Sequence, residues 1–203
     1  MQHLSQFVVA STSTHQHVVV QILIYIKGSP RVRIFLSTTS KIHLKGCSDC
    51  DWASCIDIKR SITGYATYIG DSLISWKSKK QVTVSRCSSK AEYKALASVI
   101  CELQWLTYLL EDFKVDFQQS ATLYCDNKSA LRIAVNPMFH ERTKHIEIDC
   151  HIVREKVLSG LVKLLPIPST NQLDDVYTKV LMPGAFKFLH FKLGMKVSLV
   201  GLN

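Results

Sequence analysis

A mixed α/β fold follows from three features of this sequence. Short β-type runs crowd residues 42–80. A long amphipathic helix pattern occupies residues 88–113. Strand-like and helix-like segments then alternate to the C-terminal region. "IHLKGCSD" (42–49) reads as the first strand. "GYATYIG" (64–70) and "LISWKSKK" (73–80) read as two more, separated by Gly70-Asp71-Ser72, residues suited to a hairpin turn. From Ser88 to Phe113, residues Tyr93, Leu96, Ala97, Ile100, Leu103, Leu106 and Leu110 recur at steps of three and four, which is one face of a helix.

"ATLYCD" (121–126) is a short buried strand that runs into a helix, "NKSALRIAV", with Asp126 or Asn127 at its N-cap. "HIEIDCHIVREKVLSG" reads as a helix that ends at Gly160, a favoured C-terminal residue. "LVKLLPI" is a last strand, and "TNQLDDVYTKVL" a capped helix. The order β-β-β-α-β-α-α-β-α gives an antiparallel start with parallel additions. Residues 1–40 are apolar and basic and close on a turn signal, "KGSPRVR". Their "VVVQILIYI" run is far short of the ~20 residues that span a bilayer, and is expected as a core helix or strand.

The chain has 203 residues, 47% of them hydrophobic, enough for a packed core. Its 25 Lys and Arg against 16 Asp and Glu give a net charge of +9, which points toward nucleic acid or another anionic surface. The 7 cysteines are odd in number and lack a paired framework, so reduced thiols of an intracellular protein are expected.

The stretch "GCSDCDWASC" poses the main chemical choice, sulfur or oxygen. Cys47, Cys50 and Cys55 partly imitate a zinc knuckle, but the fourth-ligand position falls on Arg60, which cannot bind a cation. Strand alternation also sends Cys47 and Cys50 to opposite faces. The acids fare better. Asp49 and Asp126 sit at strand ends, and Glu92 and Asp175 sit near helix starts, where sites form in α/β sheets. Converging carboxylates repel unless a cation neutralises them, and Mg²⁺ prefers such oxygen ligands. Spacing alone makes this a weak inference.

The motifs are more specific. "GCSDCDWASC", "RSITGY", "SLISWKSKKQVTVSR", "SSKAEYKALA", "CELQWL", "LYCDNKSA", "HERTKHIEIDCHIVRE" and "QLDDVYTKVL" occur in one order. Together they closely resemble the ribonuclease H domain at the C-terminal end of the Pol polyprotein of plant copia-type LTR retrotransposons, over about residues 42–195. The resemblance implies a ribonuclease H-like α/β fold, a mixed five-stranded sheet with helices on both faces. It implies a C-terminal fragment in which residues 1–40 derive from the segment that joins the reverse transcriptase, residues 41–180 form the ribonuclease H-like domain, and residues 181–203 form a C-terminal helix and tail.

The implied activity is hydrolysis of the RNA strand of an RNA–DNA hybrid during reverse transcription. Two Mg²⁺ ions, replaceable by Mn²⁺, would be held by Asp49, Glu92, Asp126 and Asp175. Asp174 is an adjacent acid where the family has alanine, so two candidates stand side by side for the fourth position. The implied partners are the hybrid and the reverse transcriptase of the same polyprotein, with no membrane, in the cytoplasm (a virus-like particle) or the nucleus. Six basic residues and one acid lie between Trp76 and Lys94. Lys77, Lys79, Lys80 and Arg86 are the expected phosphate contacts there, joined by Asn127 and by Arg142, Lys144 and Arg154 of the "HERTKHIEIDCHIVRE" motif. His140, His145 and His151 are spaced five and six apart and do not share a helical face, which disfavours a metal site.

Several positions depart from the family pattern. Lys90 replaces an acid two residues before Glu92, Ser54 replaces a glycine, Val180 replaces a proline, and "PIPSTNQ" lacks a histidine. They leave room for a second reading, a catalytically inactive remnant that keeps the fold and binds nucleic acid.

Overall fold

The computed structural model describes residues 2–5, 7–30, 32–117, 119–136 and 147–197. The N-terminal part holds α1 (Gln2–Ser5), α2 (Ser13–Gly28) and β1 (Val32–Ile34). The three antiparallel strands β2 (Leu44–Asp51), β3 (Ile62–Ile69) and β4 (Ser72–Lys80) follow, then the long helix α3 (Ser88–Asp112). Beyond it come β5 (Ala121–Cys125), α4 (Lys128–Val135), α5 (Glu147–Leu158), β6 (Val162–Pro166), α6 (Asp175–Thr178), α7 (Pro183–Lys192) and β7 (Met195–Val197).

The chain divides into two compact units, Phe35–Gly194 and Met1–Ile34 with Met195–Asn203. In the larger unit, five strands lie in the order β4-β3-β2-β5-β6. The first three in sequence are antiparallel, and β5 and β6 add in parallel to β2. This is the ribonuclease H-like arrangement that the motifs imply. The β3–β4 turn is two residues, Gly70-Asp71, one shorter than expected because Ser72 already pairs with Ile69.

Helix α3 covers one face of the sheet. Its periodic residues Tyr93, Leu96, Ala97, Ile100, Leu103, Leu106 and Leu110 are all buried, against Leu44 of β2, Leu123 of β5 and Val162 of β6. Each leucine or isoleucine among them contributes roughly 1.5–3 kcal/mol of transfer free energy. Gly46 makes the close approach possible: a Cβ there would lie 2.9 Å from Val99 Cγ1 and 3.2 Å from Leu123 Cδ1. Asn127 is the N-cap of α4, its Oδ1 accepting from Ala130 N at 3.0 Å, so Asp126 is left free of capping.

Gly160 follows α5 with φ +76°, as a helix-terminating glycine should.

The last capped helix differs from expectation. In place of one helix over residues 170–181 stand a 3-10 turn, Ser169–Asn171, and the one-turn helix α6. The buried Gln172 pulls this segment onto the sheet, its Nε2 donating to Ser48 O at 2.6 Å. A continuous helix would lift Gln172 away.

In the smaller unit α2 is a helix, started by Thr12, whose hydroxyl accepts from His15 N at 3.4 Å. No residue of α2 is buried, which corrects the expectation of a core element. Its apolar residues run around the helix instead of forming a stripe, with Val18, Leu23, Ile24 and Ile26 all more than 40% exposed. Strands β1 and β7 pair antiparallel. Among the described residues, no helix is long and apolar enough to cross a membrane.

Candidate active site

The sheet register brings two acids together. Parallel pairing sets Cys47 beside Tyr124, so the C-terminal ends of β2 and β5 leave the sheet side by side, carrying Asp49 and Asp126. Asp49 is 1% exposed. One of its oxygens accepts from the Thr178 hydroxyl, and the other lies 3.4 Å from Lys179 Nζ. Burial raises its pKa. The Thr178 hydrogen bond and the Lys179 charge oppose that rise, and Asp175 and Asp126 add to it.

Glu92 projects from the second turn of α3 and is buried. Its Oε1 accepts from Cys50 N at 3.3 Å, and its Oε2 has no partner among the described residues. Burial, then the charges of Asp49 and Asp126, push its pKa up to about 9. Asp126 is half-buried and accepts from Ser169 Oγ at 2.9 Å. Glu92, Asp126 and Cys125 each offer a ligand atom, all within 4.8 Å of one another. Cys125 went unnoticed in the sequence because alternation sends consecutive strand residues apart. Here the strand ends at Cys125, so that alternation does not govern Asp126. The thiol itself is a poor ligand as it stands, since burial and then Glu92 push its pKa up to about 12.

The adjacent acids at the start of α6 differ in burial. Asp175 is half-buried and lies 2.6 Å from Lys179 Nζ, on the side of Asp49. Asp174 is fully buried, and neither of its oxygens has a partner among the described residues. Burial, then Asp49, Asp175 and Glu92, raise its pKa well above the carboxylate range. Asp174 is thus enclosed in the interior, within reach of the Asp49 and Glu92 charges, and Asp175 sits beside Lys179 on the side of Asp49. Thr178 and Lys179 were not singled out in the sequence. The "YTK" tripeptide becomes informative only once α6 is docked beside β2.

The thiolate alternative finds no support in the geometry. Cys50 packs between Ala91 and Ala95 of α3, whereas Cys47 lies on the opposite face with Lys45 and Tyr68. Among the described residues, no metal-ligand cluster contains Cys47, Cys50 or Cys55.

The basic candidates fall in different settings. Lys77 and Lys79 are exposed on the edge strand β4, and with Lys80 and Lys94 they line a groove of about 370 Å³. Lys80 Nζ is 3.1 Å from Cys55 Sγ, which ties it to the β2–β3 loop. Arg86 is exposed ahead of α3. Asn127 is occupied by capping α4. Arg154 donates to Ile133 O at 3.3 Å and Asn136 O at 2.7 Å, closing the C-terminal end of α4. His151 is exposed, 3.7 Å from Glu155. Arg142, Lys144, His140 and His145 lie outside the described residues.

No protein-family model matches the chain. The retrovirus-related Pol polyprotein from transposon RE1 of Arabidopsis thaliana is 38% identical over 195 residues, covering 96% of this chain and 13% of the relative. The corresponding polyprotein from transposon TNT 1-94 of Nicotiana tabacum is 33% identical over 192 residues, covering 95% of this chain and 14% of the relative. Among solved structures, LC11-RNase H1, isolated from compost, aligns with a TM-score of 0.49 at 16% identity, covering 67% of this chain and 92% of its own. The chain thus spans about an eighth of the length of the curated relatives it matches. Over nearly all of its own length, it belongs to the retrovirus-related Pol polyproteins of plant transposons.

Proposed function

We propose that this chain is the ribonuclease H of a copia-type Pol polyprotein, hydrolysing the RNA strand of an RNA–DNA hybrid to leave a 3′-hydroxyl and a 5′-phosphate. The observation that carries the reading is Glu92 and Asp126 within ligand distance of each other, with the Asp49 charge acting on Glu92 and the Asp175 charge on Asp49, and the Glu92 pKa raised to about 9 by burial, Asp49 and Asp126.

The donor set fits divalent cations. The ligands are hard carboxylate oxygens, Glu92 Oε2 is buried without a partner among the described residues, and the acids destabilise one another. Asp49, Glu92, Asp126 and Asp175 would hold them. When bound, two such ions neutralise the phosphodiester and activate water for attack on phosphorus.

The chain's own residues do the positioning. The Thr178 hydroxyl fixes the rotamer of Asp49. The Cys50 N–H aims Glu92, and Ser169 aims Asp126. Lys77 and Lys79 on the outer strand offer charge to phosphates. Discrimination of hybrid from duplex DNA would rest on minor-groove shape and the 2′-hydroxyl, not on base sequence.

The test is cleavage of a labelled hybrid by the full chain in Mg²⁺. Cleavage that disappears in Asp49→Asn, Glu92→Gln and Asp126→Asn supports the enzyme. A second reading, hybrid binding without cleavage, is favoured by the Lys179 ammonium seated between Asp49 and Asp175. Salt-dependent binding of the hybrid with no product in Mg²⁺ or Mn²⁺ supports that reading instead.

A further inference from the structure

The acidic cluster is asymmetric. Glu92 and Asp126 are held by uncharged donors, the Cys50 N–H and the Ser169 hydroxyl. Asp49, which also accepts from the Thr178 hydroxyl, and Asp175 face in addition a cation of the chain itself, with Lys179 Nζ at 3.4 Å and 2.6 Å from their oxygens. This placement is built into the local sequence. Lys179 follows Asp175 by one helical turn, which puts the two side chains on the same face. Thr178, the residue before it, is tied to Asp49, so the end of α6 is fixed against β2 and the ammonium is delivered between the two acids.

Lys179 is also only partly enclosed. Its side chain is 39% exposed, against 2% for Asp49. A flexible four-carbon stem with that exposure has an outward route to water without any change of backbone.

We propose that Lys179 is a resident counter-ion in the cation position between Asp49 and Asp175, and that a divalent cation enters there only by displacing its ammonium. The inference rests on the two-cation reading above and makes the two positions unequal. The side built on Glu92 and Asp126 takes a cation directly. The side built on Asp49 and Asp175 takes one in competition with a tethered charge. Lys179 is thus a positioning residue: it keeps two repelling acids in place in the metal-free protein, at the expense of affinity for the second ion.

The experiment is a calorimetric titration of Mn²⁺ into the metal-free full chain, together with thermal melting in EDTA. Lys179→Met and the hydrogen-bonding variant Lys179→Gln remove the charge, and Lys179→Arg keeps it. The wild type is expected to bind two Mn²⁺ with affinities at least tenfold apart. Both neutral variants should tighten the weaker site at least tenfold and melt at a lower temperature in EDTA. Lys179→Arg should keep the weak site weak and restore the melting temperature.

A weaker site unchanged in Lys179→Gln, in a chain that still binds Mn²⁺ through Glu92 and Asp126, overturns the proposal and leaves the two-cation reading standing. A wild-type chain that binds no Mn²⁺ overturns both.

Discussion

Gly64 lies directly opposite Asp49 in the β2–β3 pairing, and it is the place where α6 rests on the sheet. A Cβ at residue 64 would come within 2.5 Å of Thr178 Cγ2, 2.9 Å of Tyr177 Cβ and 3.3 Å of Asp174 O. The missing side chain therefore lets the Thr178 hydroxyl reach the buried carboxylate. Gly64→Ala should push α6 outward, destabilise the fold by about 1–3 kcal/mol as overpacking does, and reduce hybrid cleavage more than the stability loss explains. Urea melts and cleavage rates measure the two effects. Adding Thr178→Ser, which deletes Cγ2 but keeps the hydroxyl, should recover part of both.

The Thr178–Asp49 hydrogen bond is open to a sharper test. That bond and the Lys179 charge are what hold the Asp49 pKa down against burial. Thr178→Val keeps the shape and removes the donor. Asp49 then loses a charge-assisted bond, of the order of 1.5–3 kcal/mol, and its pKa rises further. The acid limb of the cleavage pH profile should move to higher pH. Thr178→Ser should leave it in place.

Periodicity made much of this molecule legible. The antiparallel strands and the buried face of α3 follow from patterns of two and 3.6 residues, whereas the choice of Asp49, Glu92 and Asp126 as candidate acids comes only from the resemblance that the motif order carries. What did not follow depends on contacts between distant segments. Asp174 is the N-cap and Asp175 the first residue of a one-turn helix, and their different burial is set by how α6 docks. Thr178 and Lys179 meet Asp49 across about 130 residues of chain. The exposure of α2 was hidden for a related reason: an apolar run shows the demand for a partner, not whether the same chain meets it.

The separation of the two α6 acids has a pH signature. Asp174 is fully buried, and its folded-state pKa lies well above the ordinary value near 4. An acid shifted upward binds its proton more tightly in the folded state, so it destabilises the fold increasingly as pH rises from the unfolded pKa toward the folded one. Asp174→Ala should therefore stabilise the metal-free chain, by roughly 1–3 kcal/mol at pH 8, with little gain near pH 4. Denaturant melts in EDTA across that range measure it. Hybrid cleavage should persist in Asp174→Ala and fall at least tenfold in Asp175→Asn, which assigns the fourth acid.

The basic groove makes a prediction about binding that does not depend on catalysis. Lys77 and Lys79 are exposed on β4, while Lys80 is engaged with Cys55 and Arg154 with the end of α4. If the first two meet phosphates, each releases about one counter-ion on binding, and the slope of log affinity against log salt falls by about 0.7–0.9 for each contact removed. Lys77→Ala with Lys79→Ala should therefore reduce that slope by about 1.4–1.8 and weaken hybrid binding equally for unrelated sequences, in Ca²⁺ to prevent turnover. Arg154→Ala should act differently: a lower melting temperature through the lost closure of α4, with the salt slope nearly unchanged. Fluorescence anisotropy over a salt series separates the two. A double lysine variant with an unaltered slope would remove β4 from the nucleic-acid path.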